Sequence, residues 1–166
     1  MGILGQWART LGRWIPPAAL AHAGQPAALF FHGVEHTTTD PRVQTNHHEA
    51  DMFRRILVRL ARDFDILPLS EIDAVLAAPH KYPRSVFLMS DDGYANTLSF
   101  AADILQDISL PWTLFVSTRH IDSTLPNPIF VARLFFLHAP QGTYDLPGFD
   151  QPLTLESLQN RAKIAA

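Results

Sequence analysis

Two adjacent carboxylates, Asp91 and Asp92, are the residues whose types and spacing most clearly indicate chemistry in this 166-residue chain. They follow the apolar run 86–89 and precede Gly93. Neighbouring carboxylates repel each other and are costly to desolvate, and a divalent cation would remove that cost. Because α/β folds place their chemistry at the carboxyl ends of parallel strands, the pair predicts an active site at a strand end.

The acid pair also has a purely structural interpretation. Asp91 and Asp92 could stand in the first turn of a helix, where the macrodipole stabilises negative charge. Gly93 and Tyr94 fit that interpretation as well. The residues around the pair distinguish the active-site interpretation from this structural one.

Composition excludes several classes of function. The chain has no cysteine, which rules out disulfides, thiolate metal ligands and cysteine nucleophiles. Its net charge of −3 gives no basic surplus, so we expect no nucleic-acid partner. No apolar run reaches the roughly 18–20 residues of a transmembrane helix. The sequence does not indicate an oligomeric state.

Residues 1–26 are predicted to form an amphipathic helix and a linker. Leu4, Trp7, Leu11 and Trp14 recur at helical spacing. The apolar stretch that follows is short and contains a proline pair, which makes a poor signal peptide. We therefore favour a cytoplasmic location, with export as the alternative.

The elements that must position the acids alternate between strand and helix. Asn46 and Glu49 have the spacing of a capping box, which predicts a helix with His47 and His48 exposed in its first turn. A further helix is predicted from Thr154 to the end of the sequence. Four short strands are predicted, at residues 27–31, 64–67, 85–90 and 113–116. Strands alternating with helices indicate a parallel sheet with right-handed crossovers.

With the acids at a strand end, the chain resembles the polysaccharide deacetylases, the NodB-homology carbohydrate esterases. The segment Met89-Ser90-Asp91-Asp92-Gly93 is similar to the family's Thr-Phe-Asp-Asp-Gly motif, although Ser90 replaces the usual Phe. The segment Phe31-His32-Gly33-Val34 resembles the aromatic-His-Gly segment of one bacterial branch. Residues 64–72 and 110–118 are similar to the neighbouring strands of the family, so the resemblance covers roughly residues 27 to 145.

The resemblance implies the fold class: α/β, the N-terminal part of a distorted (β/α) barrel of the glycoside hydrolase/deacetylase type, with parallel strands and outer helices. On this basis residues 27–166 are an incomplete deacetylase domain. No His-Ser/Thr-x-x-His motif follows Gly93 in this sequence. We therefore expect a truncated form with little activity by itself.

The resemblance also implies the site. Asp91 matches the catalytic base that activates water, and Asp92 matches the metal-ligating aspartate. The implied cofactor is a divalent metal, zinc or similar, whose two histidine ligands are missing here. His32 would contact either a metal ligand or the substrate. His36 and His120 are more simply loop residues.

The implied reaction is metal-dependent removal of acetyl groups from N-acetylated sugars of a polysaccharide or oligosaccharide. Two alternatives remain open at this point. One is an inactive fragment or non-catalytic remnant. The other is a metal-dependent glycosyltransferase or phosphoryl-transfer enzyme with strand-end aspartates, although no glycine-rich phosphate loop is present.

Overall fold

A computed structural model describes residues 25–121 and 123–157 of the chain. These residues belong to two compact units. The first unit contains residues 25–36 and 48–116, and the second contains residues 37–47, 117–121 and 123–157. The N-terminal helix predicted from Leu4, Trp7, Leu11 and Trp14 lies outside the described residues.

The described elements follow one another in the order β1 Ala27–Phe31, β2 Gly33–Glu35, β3 His47–Glu49, α1 Ala50–Asp63, β4 Asp65–Leu67, α2 Ile72–Ala77, β5 Ser85–Ser90, α3 Ala102–Asp107, β6 Thr113–Leu114, α4 Pro128–His138, β7 Gly142–Tyr144 and β8 Leu153–Leu155. The five-residue turn Thr97–Ala101 before α3 is a π-helix. None of the described helices is long and apolar enough to span a bilayer.

The predicted parallel sheet is the centre of the first unit. Strand β5 pairs in parallel with β1, β4 and β6. Every residue of β5 is buried, as expected for a central strand covered on both faces. The described residues form no closed barrel. The molecule is thus mixed α/β with parallel strands and helices, as the fold class predicts.

Alternate residues of β5 divide the core of the first unit. Leu88 faces one cluster, with Phe53 and Leu57 of α1 and Leu105 of α3. Phe87 and Met89 face a second cluster around Val75 of α2. This alternation follows from the two-residue repeat of a strand, and it fixes the register of β5. The end of β5 is therefore held firmly on both faces.

The predicted capping box is wrong. Helix α1 begins at Ala50, and His47 and His48 lie in the short strand β3, where both are half-buried rather than exposed. The Asn46 side chain instead accepts a hydrogen bond from Arg133 of α4, with 2.9 Å between Oδ1 and Nη1. A tertiary contact therefore uses the oxygen that would have capped the helix.

The predicted helix from Thr154 is also wrong where the structure describes it. Residues 153–155 form β8, which pairs with β7 in an antiparallel hairpin within the second unit. The Thr143 and Thr154 hydroxyls lie 3.2 Å apart across this hairpin. Cross-strand pairing overrides the local helical pattern here. Residues 158–166 lie outside the described part.

Candidate active site

The carboxyl ends of three strands meet at one edge of the parallel sheet. In the strand register, Phe31 at the end of β1 pairs with Ser90 at the end of β5, and Ser90 pairs with Leu114 of β6. The residues that follow β1 and β5 are His32 and Asp91. The Asp91 amide donates to the Phe31 carbonyl oxygen over 3.0 Å, which extends the pairing by one residue.

The chain turns sharply at the acid pair. Asp92 has a φ of 72° and Gly93 a φ of 74°, so two consecutive residues adopt the left-handed conformation. Aspartate tolerates this conformation better than most residues, and glycine adopts it without steric cost. A Cβ at Gly93 would lie 2.9 Å from Cγ1 of Val116, so only glycine fits this close approach. The turn therefore sets the direction of the Asp92 side chain.

His32 and Asp92 are in direct contact. Nδ1 of His32 lies 3.3 Å from Oδ2 of Asp92, and the two side chains are 34 % and 27 % exposed. Both of these atoms are shielded from solvent, and neither has a hydrogen-bond partner within the described ranges. Their separation is slightly longer than a usual N–H···O hydrogen bond and falls within salt-bridge distance for a protonated imidazole. The pair joins the ends of β1 and β5.

Asp91 differs from its neighbour. It is half-buried, and its carboxylate forms no hydrogen bond or ion pair with the residues that the structure describes. The backbone amide alone holds Asp91, through Phe31. No side chain in the described part of the chain therefore fixes its carboxylate.

His48 is a residue near the site that the sequence analysis did not select. It is half-buried, and its ring stacks on Phe53 with 6.0 Å between centroids. Burial lowers the pKa of His48, and the charge of His32 lowers it further. The histidine pair at 47–48 offered no signal for this, because the burial depends on β3 and not on helical spacing.

The other candidate histidines take no part in this contact. His36 is exposed. His120 belongs to the second unit, where its Nδ1 lies 2.8 Å from the Ser117 hydroxyl in a local turn. Within residues 25–121 and 123–157, no group of three or more His, Cys, Asp or Glu side chains is arranged to hold a metal ion.

No protein-family model matches the chain, and no curated protein sequence matches it. Its structure is similar to several solved ones. The deacetylase PplD of Streptococcus pyogenes, solved with acetate, is 18% identical with a TM-score of 0.49 over 66% of this chain and 51% of that one. The polysaccharide deacetylase BC0361 of Bacillus cereus is 15% identical with a TM-score of 0.44 over 55% and 29%.

A de-N-acetylase of Aggregatibacter actinomycetemcomitans is 15% identical with a TM-score of 0.43 over 84% of this chain and 50% of that one. All three are deacetylases. The chain spans between about a third and a half of the length of these solved structures. Likeness at this level concerns the fold and carries no argument about activity.

Proposed function

We propose that this chain carries the acid pair of a metal-dependent deacetylase that removes acetyl groups from N-acetylated sugars of a polysaccharide or oligosaccharide. The observation that carries the proposal is the position of Asp91 and Asp92 at the carboxyl end of the central strand β5, with His32 against Asp92. Residues 27–166 would then belong to a deacetylase domain, preceded by a helix and linker at 1–26.

The donor groups at Asp92 are suited to a divalent cation. Carboxylate oxygen and imidazole nitrogen are both common ligands of zinc and related metals. Oδ2 of Asp92 is shielded from solvent, and among the described residues it has the 3.3 Å contact with His32 but no hydrogen bond. A charged oxygen shielded in this way is costly, and a bound cation would reduce that cost. Asp92 would hold the metal. The described residues alone do not complete a site of three protein ligands.

When bound, the metal would polarise the acetyl carbonyl and stabilise the negative charge that develops on its oxygen. Asp91 would accept the proton of the attacking water, because its carboxylate has no partner among the described residues and is only half-buried. The two adjacent acids would thus have different roles, one as metal ligand and one as general base. Asp92 holds charge in place, and Asp91 moves a proton.

His32 would serve the site through Asp92 or through the substrate. Its Nδ1 lies 3.3 Å from one oxygen of the Asp92 carboxylate, and this contact would limit the directions in which that group can coordinate. The side chain is about one third exposed, so part of the ring can also reach a bound sugar.

Acetate release from an N-acetylglucosamine oligomer tests the proposal. We expect a low rate that requires added Zn²⁺ or Co²⁺ and falls by about 100-fold or more in Asp91→Asn. Asp65→Asn is the matched control, because Asp65 is an exposed aspartate at the start of β4, the opposite end of the sheet. Release that survives Asp91→Asn, or that needs no metal, would count against the assigned roles.

A further inference from the structure

The backbone carbonyl of His32 accepts hydrogen bonds from two side-chain hydroxyls. Oγ1 of Thr97 lies 2.9 Å from the His32 oxygen, and Oγ of Ser90 lies 3.3 Å from it. Both donors are completely buried, at 0 % exposure. The shorter contact is the stronger one, because O–H···O bonds are usually 2.5–3.0 Å long. A carbonyl oxygen has two lone pairs, so these two donors use its full capacity.

These hydroxyls act where the regular strand pairing stops. The register of β1 and β5 ends at Phe31 and Ser90, and the Asp91 amide makes one further bond to Phe31. The His32 carbonyl lies beyond that point. A buried carbonyl without a partner is costly, so side chains must take over from the backbone.

Thr97 reaches the carbonyl from an unusual turn. It begins the π-helical turn Thr97–Ala101, and its amide donates to the Tyr94 carbonyl oxygen over 2.9 Å. The same turn closes a bond from the Ala102 amide back to the Thr97 oxygen. π-Helical turns are rare and frequently occur at functional sites. Here the turn fixes the residue that bonds to His32.

We infer that Ser90 and Thr97 are positioning residues, whose hydroxyls hold the His32 backbone so that its imidazole stays against Asp92. Three contacts carry this inference: Thr97 and Ser90 to the His32 carbonyl, and His32 Nδ1 to Asp92 Oδ2. The peptide after His32 is fixed on one side by β5 and on the other by the turn. Only the catalytic consequence of this arrangement rests on the proposed function.

The direct test measures the side-chain orientation of His32 by NMR. Three-bond couplings from the backbone nitrogen and carbonyl carbon to Cγ report whether the His32 χ1 angle occupies one rotamer. We expect couplings of a single rotamer in the wild-type protein. Thr97→Val removes the hydroxyl at nearly constant shape, and its couplings should move toward the average over rotamers. Thr97→Ser keeps the hydroxyl and should keep the wild-type couplings.

Two further variants test the second contact and provide a control. Ser90→Ala removes the longer contact, so its effect should have the same direction as that of Thr97→Val and be smaller; this variant also carries the test if Thr97→Val fails to fold. Thr143→Val removes a hydroxyl from the β7–β8 hairpin and should leave the His32 couplings unchanged. Single-rotamer couplings in both Thr97→Val and Ser90→Ala, alongside lower thermal stability, would mean that the hydroxyls only support the fold and would overturn the inference.

These couplings are measured without metal or substrate. A failure of acetate release would therefore leave the orientation result intact and would count only against the proposed function. If Thr97→Val instead releases acetate at the wild-type rate, the positioning of His32 has no effect on catalysis.

Discussion

Nδ1 of His32 lies 3.3 Å from Oδ2 of Asp92, and this contact joins two strand ends that are far apart in sequence. Each residue directly follows or nearly follows the strand that positions it: β1 for His32 and β5 for Asp92. Because these strands are hydrogen-bonded neighbours, the contact follows from the sheet order and does not depend on a flexible loop. It is the feature on which the candidate site depends.

The first prediction concerns this contact. His32→Ala should weaken the binding of Co²⁺ at Asp92 by about tenfold or more, because groups that orient a metal ligand typically change affinity by about 10–100-fold. Isothermal titration of the purified protein measures the change. His36→Ala is the matched control, since His36 is exposed and lies in the following turn. Equal affinities in the two variants would contradict a role for His32 at Asp92.

The second prediction concerns the turn after the acids. Gly93→Ala should lower the free energy of unfolding by about 1–2 kcal/mol because of its φ of 74°. A further loss of about 1–3 kcal/mol should come from the contact with Val116, where the added Cβ would lie 2.9 Å from Cγ1. Urea unfolding measures both losses together.

Gly148→Ala separates these two contributions. Gly148 has a φ of 87°, and no atom within 4 Å would meet an added Cβ. This variant should therefore show only the conformational loss of about 1–2 kcal/mol. If the two alanine variants are equally stable, the close approach of Val116 to the turn is wrong.

The third prediction is a pH dependence from His48. Its pKa in the folded protein is lowered, first by burial and then by the charge of His32. The unfolded chain, with a histidine pKa near about 6.5, therefore binds more protons than the folded protein in mildly acidic solution. The free energy of unfolding should fall as the pH drops below about 6.5, and the loss should level off below the folded pKa.

His48→Gln should flatten this part of the stability curve. Chemical unfolding between pH 7.5 and 5 measures it. His80→Gln is the control, because His80 is exposed in the short turn Pro79–Lys81. An unchanged slope in His48→Gln, or an equal flattening in His80→Gln, would show that another group causes the pH dependence.

The sequence was sufficient to predict the sheet that carries the acids. The apolar run before Asp91 indicates a strand buried on both faces, and β5 is buried throughout. The alternation of strands and helices also predicts that β1 and β5 end at the same edge, which brings His32 near the acid pair. The sequence pattern identifies each strand and helix, and the pairing rules of parallel sheets then determine how these elements are arranged.

What the sequence could not predict depends on contacts between distant segments. The capping box at Asn46 is locally correct in spacing, but the Asn46 oxygen bonds to Arg133 of α4 instead. The hydroxyls of Ser90 and Thr97 are ordinary residues in the sequence, and their shared target is visible only in the fold. Thr154 belongs to a strand because β7 is available to pair with it. None of these partners has a fixed sequence spacing.

The binding of Co²⁺ tests most directly whether the two acids have the different roles proposed for them. It is measured by isothermal titration on the wild-type protein and on two isosteric variants. Asp92→Asn should abolish a one-to-one binding event, since it removes the proposed ligand charge. Asp91→Asn should retain that event, because the proposed function makes Asp91 the base that acts on water and not a metal ligand. Binding that persists in Asp92→Asn, or that is lost in Asp91→Asn, would contradict the assignment of Asp92 as ligand and Asp91 as base.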